Sequence, residues 1–477
     1  MSRLLSRRDV LAKYSNGFGL VALSGLLHSE NSVSGSTAAK RRGAVVPRPN
    51  APAEHVIFCY MSGGMSHVDS FDPKPRLTQD ENKDVPFNIE RTQFNSNGKL
   101  MPTHWEFKPR GESGLEISEL FPHIAQCADD IAVVRSMTAD FSEHAQGNFF
   151  MHTGFSFQGY PSAGAWVNYG LGNANENLPG FVVLASGGST YPHGGVGLFG
   201  SGFLPSRHQA STLRLDGDVP IRNIVPSEID VIQRKRLSFI NRLDDAFLAD
   251  SRNDTNVEAA IKNYEMAYKM QSAVPELVDM SDESAATLEL YGINVKSNKT
   301  DDYGRQCLMA RRMVERGVRF IELSCLAFGV GGGGAANPWD NHGNIKNGHQ
   351  RMGQQIDQPI AGLIKDLKQR GLLEKTLVVC AGEFGRTPFS QSGSGRDHDT
   401  YGFSIWMAGG GIKGGVAYGA TDEFGYHAVE NITSVYDMWA TVLYLMGIDH
   451  EELTYRHGGR DIRLTDVHGD VIHDIIA

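Results

Sequence analysis

The residue types most able to bind a metal ion are concentrated between positions 339 and 398. Asp340 and His342 stand two positions apart after a glycine-rich stretch. Glu383 follows an apolar run, and Asp397-His398 precedes another. Carboxylates and neutral imidazoles are suitable ligands for Zn²⁺, Mn²⁺ or iron, and Ca²⁺ is a further candidate. A single Asp-x-His pair is more typical of a surface loop, but three such groups beside strand or helix ends predict one shared divalent-metal site.

These positions are distant in the chain, so a scaffold must bring them together, and the apolar runs predict an α/β fold. Continuous apolar runs are typical of strands buried on both faces of a parallel sheet. They cover residues 56–60, 131–134, 181–184, 318–323, 376–380 and 403–407. Helical patterns between them predict a layered fold with a largely parallel central sheet flanked by helices. Ligands bind such sheets at the carboxyl ends of the strands.

Three segments between the strands have their own patterns. A helix is predicted from Gln358-Pro359 to a stop at Gly371, because apolar residues recur at helical spacing along it. Residues 227–290 are charged and almost free of Gly and Pro, which predicts an all-helical insertion. Residues 329–336, with four consecutive glycines, are predicted to form a loop that delivers the next segment.

Two details of the insertion are also predicted. Ser227 and Asp230 suit a capping arrangement at its start. Met266 and Met270, four residues apart, are more typical of a helix face packed on the core than of a cofactor site.

Composition excludes several classes of function. The formal net charge of −10 argues against a nucleic-acid partner, which would need a basic surface. The five cysteines are widely spaced and predict neither a disulfide framework nor a zinc knuckle. Cys59, Cys325 and Cys380 lie in apolar runs, where a buried small hydrophobic residue is the simplest interpretation. The sequence predicts no membrane span and leaves the oligomeric state open.

The N-terminus predicts export. Ser6-Arg7-Arg8-Asp9-Val10-Leu11 resembles the twin-arginine export motif and precedes a short apolar stretch, residues 17–27. Residues 1–40 are therefore predicted to be an export signal and linker, and residues 41–477 the mature domain. Its expected location is periplasmic or secreted.

Familiar catalytic motifs do not explain the chain. Residues 195–200 match G-x-G-x-x-G, but the apolar strand that should precede a dinucleotide-binding turn is missing from the sequence. The glycines at 331–334 lack the Lys-Ser/Thr of a phosphate-binding P-loop, and no G-x-S-x-G string is present.

A family resemblance rests on several strings in a fixed order. They are Ser66-His67-Val68-Asp69, Met151-His152-Thr153-Gly154, Trp339-Asp340-Asn341-His342, Gly382-Glu383-Phe384-Gly385-Arg386-Thr387-Pro388, Gly395-Arg396-Asp397-His398 and Ala408-Gly409-Gly410-Gly411. In this order they resemble the family called domain of unknown function 1501, over residues 53–470. That family is similar in fold to alkaline phosphatases and sulfatases. The resemblance implies an alkaline-phosphatase-like domain over residues 41–477.

The resemblance also implies a set of ligands. Asp340, His342 and His398 match ligand positions of the superfamily, and Glu383 stands at an Asp position. Phe384 replaces a histidine ligand. Asp397 is expected to bind the ion or to orient a ligand.

Two departures from the superfamily affect the expected chemistry. Ser62-Gly63 replaces the Asp-Gly that usually ends the first strand, so His67 or Asp69 is expected to substitute as a ligand. The position of the usual nucleophile holds His144, so a formylglycine mechanism is unsupported. His144 is instead a candidate general acid or base, or a nucleophile, with a buried core histidine as the alternative.

The resulting hypothesis is a metal-dependent hydrolase of phosphate or sulfate esters. Its expected substrate is a small molecule or polysaccharide that carries the anionic ester. Arg386 is expected either to bind the anionic group or to form a structural salt bridge to Glu383. The alternative hypothesis is a catalytically silent binding or scaffold protein of the same fold, since the usual nucleophile and one ligand are lost.

Overall fold

The apolar runs of the sequence form the central strands of a nine-stranded sheet in the computed structural model. The structure describes residues 48–91, 94, 97–185, 191–215, 229–250, 255–293, 300–325, 336–391 and 393–477. The predicted export segment, Ser227 and the glycines at 329–335 lie outside these residues. Contacts divide the chain after residue 42, and residues 43–477 form one compact unit.

Among the described residues, the six predicted runs correspond to strands β1, β5, β6, β8, β9 and β12, and the other strands were not predicted. In chain order they are β1 His55–Tyr60, β2 Asn97–Leu100, β3 Phe107–Arg110, β4 Leu115–Ser118, β5 Ile131–Thr138, β6 Phe181–Ala185, β7 Ser211–Arg214, β8 Phe320–Ser324, β9 Thr376–Ala381, β10 Gly385–Gln391, β11 Gly395–Asp399, β12 Phe403–Ala408, β13 Val416–Tyr418, β14 Ala420–Thr421, β15 Ala428–Glu430, β16 Thr433–Ser434, β17 Tyr455–His457 and β18 Arg460–Ile462.

The α-helices lie mainly between these strands. They are α1 Pro75–Gln79, α2 His144–Thr153, α3 Ala163–Leu171, α4 Asp230–Asp250, α5 Thr255–Val278, α6 Ala285–Leu290, α7 Asp301–Glu315, α8 Ile345–Gln369 and α9 Val435–Leu445.

The main sheet is largely parallel, as predicted. Its order is β13-β5-β12-β9-β1-β8-β6-β7, and β16 pairs with β5. The strands β9, β1, β8, β6 and β7 run parallel to one another, whereas β12 is antiparallel to both β5 and β9. The predicted α/β fold class is therefore confirmed.

Helices cover both faces of this sheet. Side chains of β1 alternate between two core clusters: Ile57 and Cys59 lie in one, and Phe58 and Tyr60 lie in the other. The first cluster includes residues of α5, α7 and α8, and the second includes residues of α2, α3 and α9. This alternation is the two-residue period of a strand buried on both faces. All five cysteines are free and buried, which agrees with the interpretation of Cys59, Cys325 and Cys380 as small hydrophobic residues.

The helix predicted to start at Gln358 is longer than expected. It begins at Ile345, so Pro359 lies inside it. Ile345, Met352 and Ile356 extend the apolar face towards the N-terminus and are all buried, and this packing outweighs the hydrogen bond that proline removes. The start prediction was wrong because it relied on proline as a first-turn residue.

The predicted insertion is helical where it is described. It contains α4, α5 and α6, of which α5 packs on the core through Met270, Val274 and Leu277. Met266 packs beside them, as the core interpretation of the two methionines predicted. Among the described residues, no helix combines the length and apolar character needed to cross a membrane.

A second, three-stranded sheet supplies part of the candidate site. Its order is β11-β10-β2, and β10 and β11 are antiparallel, with Arg386 opposite His398. Because β10 follows closely after β9, this small sheet lies at the carboxyl end of a central strand. That is where ligands bind in α/β folds.

Candidate metal centre

Four side chains from different parts of the chain meet in one cluster, which we call the Asp340 cluster. Its members are His144, Asp340, His342 and His398, and one potential ligand atom of each lies within 4.8 Å of all the others. His144 is the first residue of α2, and His398 lies in β11. Asp340 and His342 precede α8. The cluster thus combines a helix start, a strand and a loop.

The three imidazoles all present the same nitrogen to the carboxylate. The Nε2 atoms of His144, His342 and His398 lie 3.3, 2.8 and 3.4 Å from the nearest oxygen of Asp340. Asp340, His144 and His398 are buried, whereas the side chain of His342 is 21% exposed. The cluster can therefore be reached from solvent on the His342 side.

The other nitrogen of each ring is occupied by an acceptor outside the cluster. Nδ1 of His144 donates to Glu383 at 2.6 Å, and Nδ1 of His398 donates to the backbone oxygen of Ser142 at 2.5 Å. Nδ1 of His342 donates to the side-chain oxygen of Gln391. Such partners fix the tautomer and leave Nε2 as the ligand atom.

One atom of the cluster makes no hydrogen bond and has only an ion-pair contact with Asp340, at 3.3 Å. This atom is Nε2 of His144, and it is buried. A buried polar atom without a hydrogen bond is costly. A cation bound among the four side chains would satisfy it. The site has three nitrogen donors and one carboxylate, which suits Zn²⁺, Mn²⁺ or iron better than Ca²⁺, which prefers oxygen ligands.

Charge in the cluster favours an ionised Asp340. Burial alone would raise the pKa of this carboxyl group, but Arg386 and the imidazoles hold it far below its usual range. Burial and the nearby Arg386 keep the pKa of His398 well below 6.5, so this ring is neutral and able to bind a cation.

His144 differs from His398 because it lies between two carboxylates. Burial lowers its pKa, but Asp340 and Glu383 beside its two nitrogens outweigh that effect and raise the pKa to about 9. In the absence of a metal ion the ring therefore carries a proton at neutral pH. A metal ion would have to displace it.

Two predicted ligands lie next to the cluster and not in it. Glu383 accepts from His144 and from the backbone N–H of Gly63 at 2.9 Å, so its carboxylate orients the His144 ring. Asp397 accepts backbone N–H groups of Phe94 and His398, at 3.1 and 2.8 Å.

Arg386 occupies a structural position. Its guanidinium is fully buried and donates to Asp340 at 2.7 Å, and also to three backbone oxygens, those of Gly63, Gly64 and Arg396. The alternative prediction of a salt bridge to Glu383 named the wrong partner. Arg386 fixes Asp340. Because its donors already contact protein atoms, they are not available to bind an anionic substrate.

The structure does not bring His67 or Asp69 into the cluster. His67 Nε2 donates to the backbone oxygen of Gly425 at 2.7 Å. Asp69 accepts from Arg396 at 2.8 Å and from Ser66 at 2.6 Å. The turn after β1 directs these side chains away from Asp340.

The sequence interpretation missed residues at the rim and behind the cluster. Gln391 and Ser142 hold two of the histidines, but a polar residue at a strand end and a backbone oxygen carry no sequence signal. Phe94 is 57% exposed and lies with its ring centroid 4.7 Å from that of His342. His193 is exposed and lies 6.1 Å from the His144 ring. Both would have looked like ordinary loop residues.

Comparisons with solved structures give weak likenesses. PsFucS1 sulfatase from Pseudoalteromonas sp. shares 13% identity over 69% of this chain and 63% of its own, with a TM-score of 0.33. Phosphonate monoester hydrolase SpPMH from Silicibacter pomeroyi shares 11% over 69% and 68%, with a TM-score of 0.32. Alkaline phosphatase from the Antarctic bacterium TAB5 shares 8% over 83% and 98%, with a TM-score of 0.34. At these scores no activity follows from the likeness.

Comparison with family models is more specific. No curated protein matches the chain. One family model, described as a protein of unknown function, DUF1501, matches residues 53–476. This range contains the Asp340 cluster, the main sheet, the three-stranded sheet and the helical insertion. The chain therefore belongs to the DUF1501 family.

Proposed function

We propose that this protein is an exported, metal-dependent hydrolase of phosphate or sulfate esters. The ion would be held by His144, His342 and His398 through Nε2 and by Asp340 through a carboxylate oxygen. Zn²⁺, Mn²⁺ and iron are the candidates, because three of the four donors are nitrogens.

One observation carries the proposal: three imidazoles converge on one carboxylate, and each has its other nitrogen held by an acceptor. A histidine that serves only packing does not need its Nε2 aimed at two other imidazoles. Histidine ligands of metal ions do need an outer partner of this kind. The buried His144 Nε2 makes no hydrogen bond, and this also supports a bound cation.

When bound, a divalent ion polarises an ester oxygen and makes a water molecule more acidic. In hydrolysis, the oxygen of water forms a new bond to phosphorus or sulfur, and the bond to the leaving-group oxygen breaks. That oxygen takes up one proton and leaves as an alcohol, while the anion keeps the oxygen from water. His193 is exposed beside the cluster and is available to donate a hydrogen bond to the leaving oxygen.

The chain's own residues keep this geometry rigid. Arg386 holds Asp340, Glu383 holds His144, and Gln391 holds His342. These contacts make Arg386 and Glu383 positioning residues in the proposal, which changes the roles expected from sequence.

The exported location is a proposal that rests on Arg7-Arg8 and the apolar stretch after it. Fractionation of cells that produce the full chain would test it. Recovery of the intact chain in the cytoplasm alone would contradict it.

The first experiment is metal analysis by mass spectrometry of the full chain beside His342→Ala. The substituted side chain is partly exposed, so folding should survive. We expect a near-stoichiometric ion in the wild type and at least ~10-fold weaker binding in the variant, since loss of even an outer partner has that effect. His427→Ala is the matched control, because His427 also lies beside an aspartate, Asp422, at 3.4 Å, but outside the cluster.

Retained ion and ester turnover in the wild type, both reduced in His342→Ala alone, would support the hydrolase. No ion in the wild type after reconstitution would overturn the proposal. A bound ion without turnover of any phosphate or sulfate ester would favour the second function, a silent binding protein.

A further inference from the structure

An exposed aromatic ring lies at the entrance to the Asp340 cluster. Phe94 is 57% exposed, and its ring stands nearly perpendicular to that of His342. Its centroid is also 6.5 Å from that of His398. The backbone N–H of Phe94 donates to Asp397, so this residue is tied to the strand that carries His398.

A polar side chain adjoins a different part of the cluster. His193 lies beside His144 and is exposed. Its Nδ1 accepts a hydrogen bond from the side-chain amide of Asn337 at 3.1 Å, and its backbone oxygen accepts from Asn148 at 2.9 Å. Since Nδ1 is the acceptor, the proton of the neutral ring is on Nε2, which can donate to a ligand.

The two side chains differ in what they can recognise. An exposed phenyl ring offers apolar area that a flat or ring-shaped group can cover. His193 offers a directed donor to an oxygen. A leaving group that satisfies both has a ring with one apolar face and carries hydroxyl groups.

We propose that Phe94 and His193 form a leaving-group subsite and that the substrate is the phosphate or sulfate ester of a sugar. The proposal rests on the proposed function, because the Asp340 cluster must bind the anionic group. Phe94 would cover the apolar face of the sugar ring, and His193 would donate to a hydroxyl or to the bridging oxygen. Both residues determine specificity, while the four cluster residues bind the ion.

The test measures binding to the metal-loaded full chain by calorimetry. The probes are inorganic phosphate and sulfate, followed by the glucose and glycerol esters of whichever anion binds. Glycerol has hydroxyl groups but no ring, so the pair isolates the contribution of the ring. We expect the glucose ester to bind about 10-fold more tightly than the glycerol ester, because the sugar ring covers apolar area of Phe94 that glycerol leaves exposed.

Phe94→Ala should remove this preference and leave the affinity for the inorganic anion unchanged. Phe157→Ala is the matched control, because Phe157 is 58% exposed but lies outside the cluster. His193→Ala should weaken both esters more than it weakens the inorganic anion. Since Phe94 and His193 are exposed, both variants should fold.

Equal affinity of the wild type for the glucose and glycerol esters would overturn the sugar subsite but not the proposed function. The same would follow if Phe94→Ala weakened the inorganic anion equally, since Phe94 would then support the cluster itself. A phenyl ester that binds as tightly as the glucose ester, without dependence on His193, would also overturn the sugar assignment. Failure of the wild type to bind an ion or either anion would overturn both proposals.

Discussion

Two buried carboxylate–arginine pairs lie close together and differ in their surroundings, although both arginines belong to the three-stranded sheet. Asp69 pairs with Arg396 at 2.8 Å, and Asp340 pairs with Arg386 at 2.7 Å. Both arginines are fully buried, and they come from the adjacent strands β11 and β10. By charge and burial alone the two pairs look alike.

The surroundings of Asp69 are closed. Ser66 donates to its carboxylate, and the histidine nearby, His349, has both nitrogens occupied. His349 Nε2 accepts the backbone N–H of Ser66, and Nδ1 donates to Asn341, both at 3.0 Å. Burial lowers the pKa of His349 to about 3, so it is neutral.

The surroundings of Asp340 are open. Three imidazole nitrogens face it, and one of them, His144 Nε2, has no hydrogen bond. The difference indicates that burial of charge does not identify a binding site. Ligand atoms that converge on one point, with their other ring nitrogens held by outside acceptors, do.

The largest expected effect is a loss of unfolding free energy, and it should distinguish the Asp69–Arg396 pair from the Asp340–Arg386 pair. Asp69→Ala leaves Arg396 buried without its partner, so the free energy of unfolding should fall by about 3–5 kcal/mol. The folded fraction should still bind the metal ion, because Asp69 is outside the Asp340 cluster. Urea unfolding and metal analysis of the folded fraction would measure both.

The control for this comparison is Asp461→Ala, which removes a surface pair with Arg456. Surface pairs contribute little, so its stability should hardly change. If folded Asp69→Ala had lost the ion, the Asp69–Arg396 and Asp340–Arg386 pairs would belong to one functional unit.

Sequence identified the surroundings of the Asp340–Arg386 pair better than those of the Asp69–Arg396 pair. Asp340, His342 and His398 were predicted as ligands because they stand in family strings beside strand and helix ends. His67 and Asp69 stand in such a string too, but the short turn after β1 directs them to Gly425 and Arg396. The orientation of these two side chains depends on tertiary packing and cannot be inferred from the spacing of residues in the chain.

Other parts of the site could be predicted only coarsely. The sheet was predictable because its strands are continuous apolar runs. Glu383 was predicted as a ligand but contacts Nδ1 of His144 outside the cluster, since a carboxylate that binds an ion and one that binds a ligand's Nδ1 have the same sequence signal. Phe94 and His193 had no signal, because their position beside the cluster depends on tertiary structure.

A second prediction concerns pH in protein stripped of metal ions. The pKa of His144 is raised from 6.5 to about 9, so its proton stabilises the folded state fully below pH 6.5. That contribution should be lost as pH rises from 6.5 to 9, and it is at most about 3 kcal/mol. His349 should act in the opposite direction: its lowered pKa contributes stability above pH 6.5 that is lost as pH falls towards 3.

Unfolding free energies of the chelator-treated protein between pH 5 and 9 would test this, with His144→Gln beside the wild type. The variant should lose part of the decline on the alkaline side, because Glu322 also raises the pKa of the buried His152, and it should keep the decline on the acid side. An unchanged alkaline decline would show that another group titrates there. His144 and His349 would then not differ in charge in the metal-free protein.

The smallest expected effect tests whether the acceptors outside the Asp340 cluster contribute to metal binding. Gln391→Ala removes the acceptor of His342 Nδ1 and should weaken metal binding by about 10-fold, at the low end for such partners. The low end is expected because the His342 side chain is 21% exposed and water can replace the lost acceptor. Ser390→Ala, one residue earlier on the same strand, is the control and should bind the ion as the wild type does. Equal affinity in both variants would mean that His342 is oriented by Asp340 alone, and the cluster would then depend on its central carboxylate more than on the ring of acceptors around it.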